Sequence, residues 1–340
     1  MSENTNPYLV RIEDLKTYFR TMDGIVRAVD GVTLDIRPGE SLGLVGESGC
    51  GKSVTAFSIL RLLPRTSRIV SGSILYQRAV HPGSTGEPPI DLATVDPHGE
   101  LIRSIRGNEI AMIFQEPLTS LSPVHTVGSQ IAEAVELHQK ANAHESRERA
   151  IHMLESVGIA MPAQRYGEYP HQFSGGMRQR AMIAMALSCH PRLLVADEPT
   201  TALDVTIQAQ ILELMKKLQE EMGMGILMIT HNLGVIAEMC KRVAVMYMGK
   251  IVETGSARAL FRHPLHPYTV GLMRSIPHMG SRVKDRLTPI PGSVPDPFSI
   301  PKGCAFFPRC PAARDPICRE EIPLLEVEPD HFVRCTLYQS

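Results

Sequence analysis

The octapeptide Gly46-Glu-Ser-Gly-Cys-Gly-Lys52-Ser53 constrains this chain more than any other feature. It fits G-x-x-x-x-G-K-[ST], follows the apolar run Ser41-Leu-Gly-Leu-Val45, and opens a segment of helical composition through about Leu63. A strand, a glycine-rich turn and a helix in that order wrap backbone around phosphates. Gly46, Gly49 and Gly51 let N–H groups turn inward, with Glu47, Ser48 and Cys50 completing the turn. The helix N-terminus adds partial positive charge. Lys52 is predicted to reach the β- and γ-phosphates, and the Ser53 hydroxyl to bind Mg²⁺.

The flanking pattern is α/β. Tyr8–Phe19 and Val26–Ile36 read as short strands, and residues 77–105 as a Pro/Gly/His-rich surface insertion. A strand is expected at Glu109–Gln115, helices over 128–190, and apolar strands at 192–197 and 225–230. Ile207, Ile211, Leu214, Met215, Leu218 and Met222 recur at helical spacing, so one face of that helix lies on a sheet. Apolar strands alternating with helices predict a largely parallel sheet covered on both faces. After Gly255 proline becomes frequent and strand signals fade, which predicts a boundary near residue 258. The expected division is therefore a phosphate-loop α/β domain over 1–258, with a helical subdomain at about 116–190, and an irregular extension over 259–340.

Bulk properties narrow the class. A length of 340 residues suits one large domain plus an appendage. A formal net charge of -1 gives no basic surface for nucleic acid. No run of 18 apolar residues exists, so the chain is not expected to span a bilayer. The polar stretch Met1–Tyr8 lacks an apolar signal core, which predicts a cytoplasmic protein. At a membrane, another chain would have to hold it.

A second group of residues suits hydrolysis. Leu193-Leu-Val-Ala-Asp197-Glu198 is an apolar strand ending in two carboxylates. Asp197 at the strand tip is predicted to hold Mg²⁺ through its water shell, and Glu198 to take a proton from the attacking water. Gln115, ending the strand before it, is placed to sense Mg²⁺ and that water. His231, ending the strand Ile226–Thr230, is placed to reach a γ-phosphate. Ser174-Gly175-Gly176 opens another helix and makes a second anion site of hydroxyl and bare N–H groups. One phosphate loop and one such second site in a chain predict a head-to-tail dimer with composite sites.

In this order along the chain, the phosphate loop, Gln115, Phe173-Ser-Gly-Gly-Met-Arg-Gln-Arg180, Asp197-Glu198, Asp204 and His231 resemble the ATP-binding cassette ATPases over residues 9 to about 258. The resemblance implies ATP and Mg²⁺ as cofactors. It also implies that Phe19 or its neighbour Tyr18 stacks on adenine. Asp204 would contact the opposite subunit beside the ATP, and Thr119 and Ser120 would face a membrane subunit. Met177 departs from the family, where most signatures carry Gln.

Gln115-Glu-Pro-Leu-Thr-Ser-Leu-Ser-Pro123, Ala202-Leu-Asp-Val-Thr-Ile-Gln-Ala-Gln210, His266-Pro-Tyr-Thr269 and Gly303-Cys-Ala-Phe-Phe-Pro-Arg-Cys310 narrow the resemblance to the dipeptide/oligopeptide permease ATPases. The Met-ended signature is similar to the first of that family's two ATPases. The resemblance implies an importer in which this chain pairs with a second, homologous ATPase subunit. The pair would sit beneath two integral membrane permease subunits, on the cytoplasmic face of the inner (plasma) membrane. An extracytoplasmic peptide-binding protein would act indirectly. Relatives also carry glutathione or nickel. A soluble ABC ATPase of DNA repair or translation would bring two cassettes or nucleic-acid-binding insertions, and an exporter would fuse the cassette to membrane helices.

Of seven cysteines, Cys304, Cys310, Cys318 and Cys335 crowd into the last 37 residues. A reducing compartment favours metal binding or free thiols over disulfides. The spacing is wider than the pairs typical of zinc, and iron–sulfur clusters tolerate looser spacing. Resemblance to the permease ATPases favours a 4Fe–4S cluster in a tail with little capacity for a core.

Overall fold

The structure, a computed structural model, describes residues 8–78, 88–115, 120–201, 203–275 and 290–339. In chain order it forms β1 (Val10–Arg20), β2 (Ile25–Ile36), β3 (Ser41–Val45), α1 (Lys52–Ile59), β4 (Ser67–Tyr76) and β5 (Ile90–Asp91). Next come α2 (Glu100–Ile105), β6 (Ile110–Ile113), α3 (Val127–Gln139), α4 (Ala143–Ser156), α5 (Gly175–Leu187) and β7 (Leu193–Asp197). Then follow α6 (Val205–Met222), β8 (Gly225–Ile229), α7 (Leu233–Met239), β9 (Arg242–Tyr247) and β10 (Lys250–Ser256). The last elements are α8 (Ala257–Arg262), α9 (Pro267–Arg274), β11 (Leu325–Glu328) and β12 (His331–Val333).

The chain divides into two compact units. The first is built from Arg37–Glu40 and the described residues of Val95–Met228 together with Tyr8 and Leu9. In it β6 and β7 pair in parallel, and β8 lies on the other side of β7. All five residues of β7 and of β8 are buried, as strands covered on both faces require. The helices begin on side chains suited to the task. Thr126 caps α3, Asn142 and Glu145 form a capping box on α4, Ser174 caps α5, and Asp204 caps α6.

The second unit comprises Val10–Ile36, Ser41–Thr94 and Ile229–Ser340. It holds an antiparallel sheet in the order β2-β1-β4-β5 and a strand series in the order β11-β12-β10-β9-β3. Among the described residues there, β3 and β9 pair in parallel, and β9, β10, β12 and β11 run antiparallel. Every residue of β3 is buried.

The structure corrects several expectations. The helix after the phosphate loop ends at Ile59 rather than near Leu63, because Arg61 takes φ 55 and Pro64 follows. Described parts of 77–105 contain β5 and α2 rather than insertion alone. β4 escaped the pattern because Gly72 interrupts it and only Ile74 and Tyr76 are buried. The tail forms strands, Glu253↔Val333 and Thr254↔Phe332 joining β12 to β10. It also buries a small core of Leu265, Val333 and Cys335 with Leu337 against it. Strands of three or four residues carry too little periodicity to be read in advance.

Candidate functional site

The phosphate loop belongs to the second unit. Gly46 has φ 156, and a Cβ there would lie 2.2 Å from the Met246 carbonyl oxygen. Gly51 has φ 108, and a Cβ there would lie 2.1 Å from the Ala28 carbonyl oxygen. Both positions exclude any side chain, by backbone and by space. No side chain caps the N-terminus of α1, so its first N–H groups face the loop. Lys52 Nζ donates to the Gly46 and Glu47 carbonyls at 2.9 and 3.0 Å, bridging the loop from within. Thr55 and Ser58 tie α1 down, Thr55 Oγ1 donating to the Gly51 carbonyl at 3.0 Å and Ser58 Oγ contacting Thr17 Oγ1 at 3.0 Å. Burial raises the Cys50 thiol pKa, which keeps it a packing residue and not a nucleophile.

On β1, Tyr18 and Phe19 line a cavity of about 670 Å³ with Ile25, Arg65 and Val70. The Tyr18 hydroxyl donates to Asp30 Oδ1 at 2.6 Å, and the Arg27 guanidinium lies 5.8 Å from its ring centre. Burial, with the Asp30 bond, pushes its pKa up to about 12. Those commitments make Phe19 the freer ring of the two. His231, in the same unit, is exposed just past β8.

The carboxylates belong to the first unit. Asp197 ends β7 at 3% exposure. Glu198 follows in the left-handed region at φ 48, a conformation costing a non-glycine residue about 1 kcal/mol. Its Oε2 accepts from Thr201 Oγ1 at 2.8 Å and from Gln115 Nε2 at 3.4 Å. The two predicted residues Gln115 and Glu198 thus meet, and Thr201 is a partner the sequence did not reveal. Its only signal was a hydroxyl three residues on, at turn spacing.

In the same unit Ser174 Oγ accepts from the Met177 N–H at 3.3 Å, capping α5. Ser174 and Gly175 are exposed, and nothing lies within 4 Å of a Cβ built on Gly175. Gly176 lets α6 approach, a Cβ there lying 3.0 Å from Ile207 Cγ2. Buried Gln179 on α5 donates to the Pro199 carbonyl, tying the Ser-Gly-Gly helix to the turn that carries Glu198. Asp204 is exposed and accepts from the Ile207 N–H at 2.9 Å. Ser120 is half-buried, and Thr119 lies outside the described residues.

In the tail, Cys304, Cys310, Cys318 and Cys335 all line one small cavity with His266 and Phe307. Burial pushes the Cys304 thiol up to about 11 and raises Cys310 and Cys335. All four are free. Among the described residues no group of three or more His, Cys, Asp or Glu side chains is arranged to hold a metal ion. The thiols therefore converge on one space without forming a finished ligand set.

Comparison with known proteins agrees with these parts. Residues 29–201 match the ABC transporter family, and residues 252–318 match the oligopeptide/dipeptide transporter C-terminal region. A Brucella abortus (strain 2308) protein carrying the name peptide import ATP-binding protein is 50% identical over 338 residues, 98% of each chain. The oligopeptide transport ATP-binding protein AppD of Bacillus subtilis (strain 168) is 48% identical over 333 residues, covering 98% of this chain and 97% of its own. Among solved structures, a dimeric ATP-binding cassette in a post-hydrolysis state with ADP and Pi is 26% identical, with a TM-score of 0.63. That match covers 73% of this chain and 99% of the cassette.

Proposed function

The chain belongs to the ABC transporter family, as an ATPase coupled to transport that works with ATP and Mg²⁺, and we propose that it powers the import of di- and oligopeptides. The observation that carries the peptide reading is the match of residues 252–318 to the oligopeptide/dipeptide transporter C-terminal region. Membrane permease subunits are its partners, a reading supported by its likeness to ATP-binding subunits of peptide transporters; no helix among the described residues is long and apolar enough to cross a membrane. In finer detail, two permease subunits hold it at the cytoplasmic face of the inner membrane beside a second, homologous ATPase. An extracytoplasmic protein delivers the peptide. Residues 1–258 form the ATPase domain, with 116–190 as its helical part, and 259–340 the extension.

ATP supplies the phosphoanhydride that is cleaved. Lys52 leaves the Gly46 and Glu47 carbonyls to meet the β- and γ-phosphates, and the loop amides hold the same oxygens. By their motifs, the Ser53 hydroxyl and, through water, Asp197 would hold Mg²⁺, which would neutralise charge on the phosphates. Glu198, steadied by Thr201 and Gln115, takes the proton of the attacking water. His231 reaches the γ-phosphate and Phe19 stacks on adenine. Ser174, Gly175 and Gly176 serve the nucleotide of the partner ATPase, and Asp204 lies at that same junction. The exposed, open Gly175 and the uncovered start of α5 support this composite arrangement. We propose that the four tail cysteines, which line one cavity without forming a finished ligand set, would hold a 4Fe–4S cluster through their sulfurs once they close on it.

Reconstitution tests the reading. The chain with both permeases and the second ATPase should take up peptides with ATP consumption. Alone it should be monomeric with low activity. Full ATPase activity from a verified monomer, or uptake of another solute class in place of peptides, would refute it.

A further inference from the structure

Glu47 is the second residue of the phosphate loop, and the C-terminal tail holds it from two directions. Arg309, between Cys304 and Cys310, forms a fork on its carboxylate: Nη1 to Oε2 at 2.8 Å and Nη2 to Oε1 at 3.1 Å. The Glu47 N–H donates to the Tyr268 hydroxyl oxygen, on α9, at 2.8 Å. The fork is fixed on its far side. Arg309 Nε donates to the Pro291 carbonyl at 3.1 Å and Nη1 to the Tyr247 hydroxyl oxygen at 3.2 Å. Its guanidinium carbon lies 5.9 Å from the Tyr247 ring centre and 5.7 Å from that of Phe306. The Arg309 side chain is 4% exposed and that of Glu47 27%.

An acidic side chain is an odd choice for a loop that binds a polyanion. Left alone, the Glu47 carboxylate would repel the triphosphate. Paired with a buried guanidinium, its charge is balanced and its backbone is pinned, so the loop is organised before nucleotide arrives. The Glu47 carbonyl, which receives Lys52 Nζ, is part of the same pinned unit.

We propose that Arg309 and Tyr268 are positioning residues of the nucleotide site: the tail cancels the Glu47 charge and sets the loop so that it accepts a nucleoside triphosphate. The inference rests on the ATPase reading. It adds that the extension acts on nucleotide affinity, in addition to any role in assembly.

The test is binding of a fluorescent ATP analogue to the full chain, with steady-state kinetics of the assembled transporter beside it. Arg309→Ala should weaken binding about tenfold, raising KM for ATP while kcat at saturating ATP stays within twofold. Adding Glu47→Gln to it should restore binding to within about threefold of wild type, because no charge is left to cancel. Arg309→Gln keeps the chain length without the charge, carries the same expectation, and decides the matter if the alanine variant does not fold. Arg319→Ala, in the same tail but exposed and paired with Asp315, should bind like wild type. Unchanged affinity in Arg309→Ala or Arg309→Gln, or equal weakening with and without Glu47→Gln, would overturn the proposal. A wild-type chain that binds no ATP would instead overturn the ATPase reading on which it rests.

Discussion

Thr201 donates its hydroxyl proton to Glu198 Oε2 at 2.8 Å, across a turn closed by the Thr201 N–H on the Glu198 carbonyl at 3.2 Å. The turn thus grips both backbone and carboxylate of a residue held at φ 48. A carboxylate bonded in this way, on a backbone held in a sparsely populated conformation, is set for one geometry, which suits a general base. Glu198→Gln should reduce steady-state hydrolysis by roughly 100- to 10,000-fold while ATP still binds. Thr201→Val should lower kcat by about tenfold and leave nucleotide affinity alone, since it loosens the carboxylate without removing it. Near-normal ATPase activity of Glu198→Gln in the assembled transporter would take the residue out of this role.

The glycines of the phosphate loop should separate by cost. Gly51→Ala must fit a Cβ 2.1 Å from the Ala28 carbonyl oxygen at φ 108, so it should destabilise the fold by about 3 kcal/mol. Gly49→Ala meets nothing within 4 Å and pays only for φ 78, about 1 kcal/mol. Denaturant unfolding of the two variants decides the order. Equal losses would mean that the close approach of the 28–29 backbone relaxes easily.

Glu253 on β10 is fully buried. Its oxygens accept from the Leu265 and His266 N–H groups and contact His331 Nε2, each at 2.8 Å. Those bonds fix the turn before α9, which carries Tyr268 to the phosphate loop. Glu253→Ala would leave two buried N–H donors and the His331 ring nitrogen without this partner and should cost about 3 kcal/mol. It should also weaken ATP binding, although the residue belongs to none of the nucleotide motifs. Stability and affinity are measured on the same preparation, and full affinity would detach α9 from the loop.

Much of this was legible because it is local. The octapeptide announces its own loop, and β7 and β8 are uninterrupted apolar runs ending at chemically pointed residues. What was hidden depends on distance or brevity. Arg309 and Glu47 are 262 positions apart, and a pairing across such a separation leaves no periodic trace. β12 has three residues and takes its register from β10. β4 takes its place from β1, with Gly72 breaking its alternation. The extension was read as having little capacity for a core because proline is frequent and strand signals fade there. Val333, Leu265 and Leu337, from separated segments, pack together only once β12 is in the sheet.

That correction alters what the tail cysteines should do when removed. A coreless tail would unravel as a whole. The tail observed has one end tied into the second unit: β12 pairs with β10, Arg334 donates to the Ile251 and Ile322 carbonyls at 3.0 and 2.7 Å, and Arg309 holds Glu47. The stretch from Cys310 to Glu320 depends more on the thiol cavity, since its backbone bonds include short turns such as Cys318 N–H to the Arg314 carbonyl at 2.9 Å. Replacing Cys304, Cys310 or Cys318 by Ser should therefore open that segment to protease first, while β12 stays protected. Cys335, buried next to Val333, should be the costliest of the four, because its loss also disturbs the small core. Protein purified without oxygen should be brown, with about four irons per chain. Colourless anaerobic protein holding one zinc would replace the cluster by a zinc site. Colourless protein with neither metal, resisting protease as before when a cysteine is changed, would reduce the four to packed thiols.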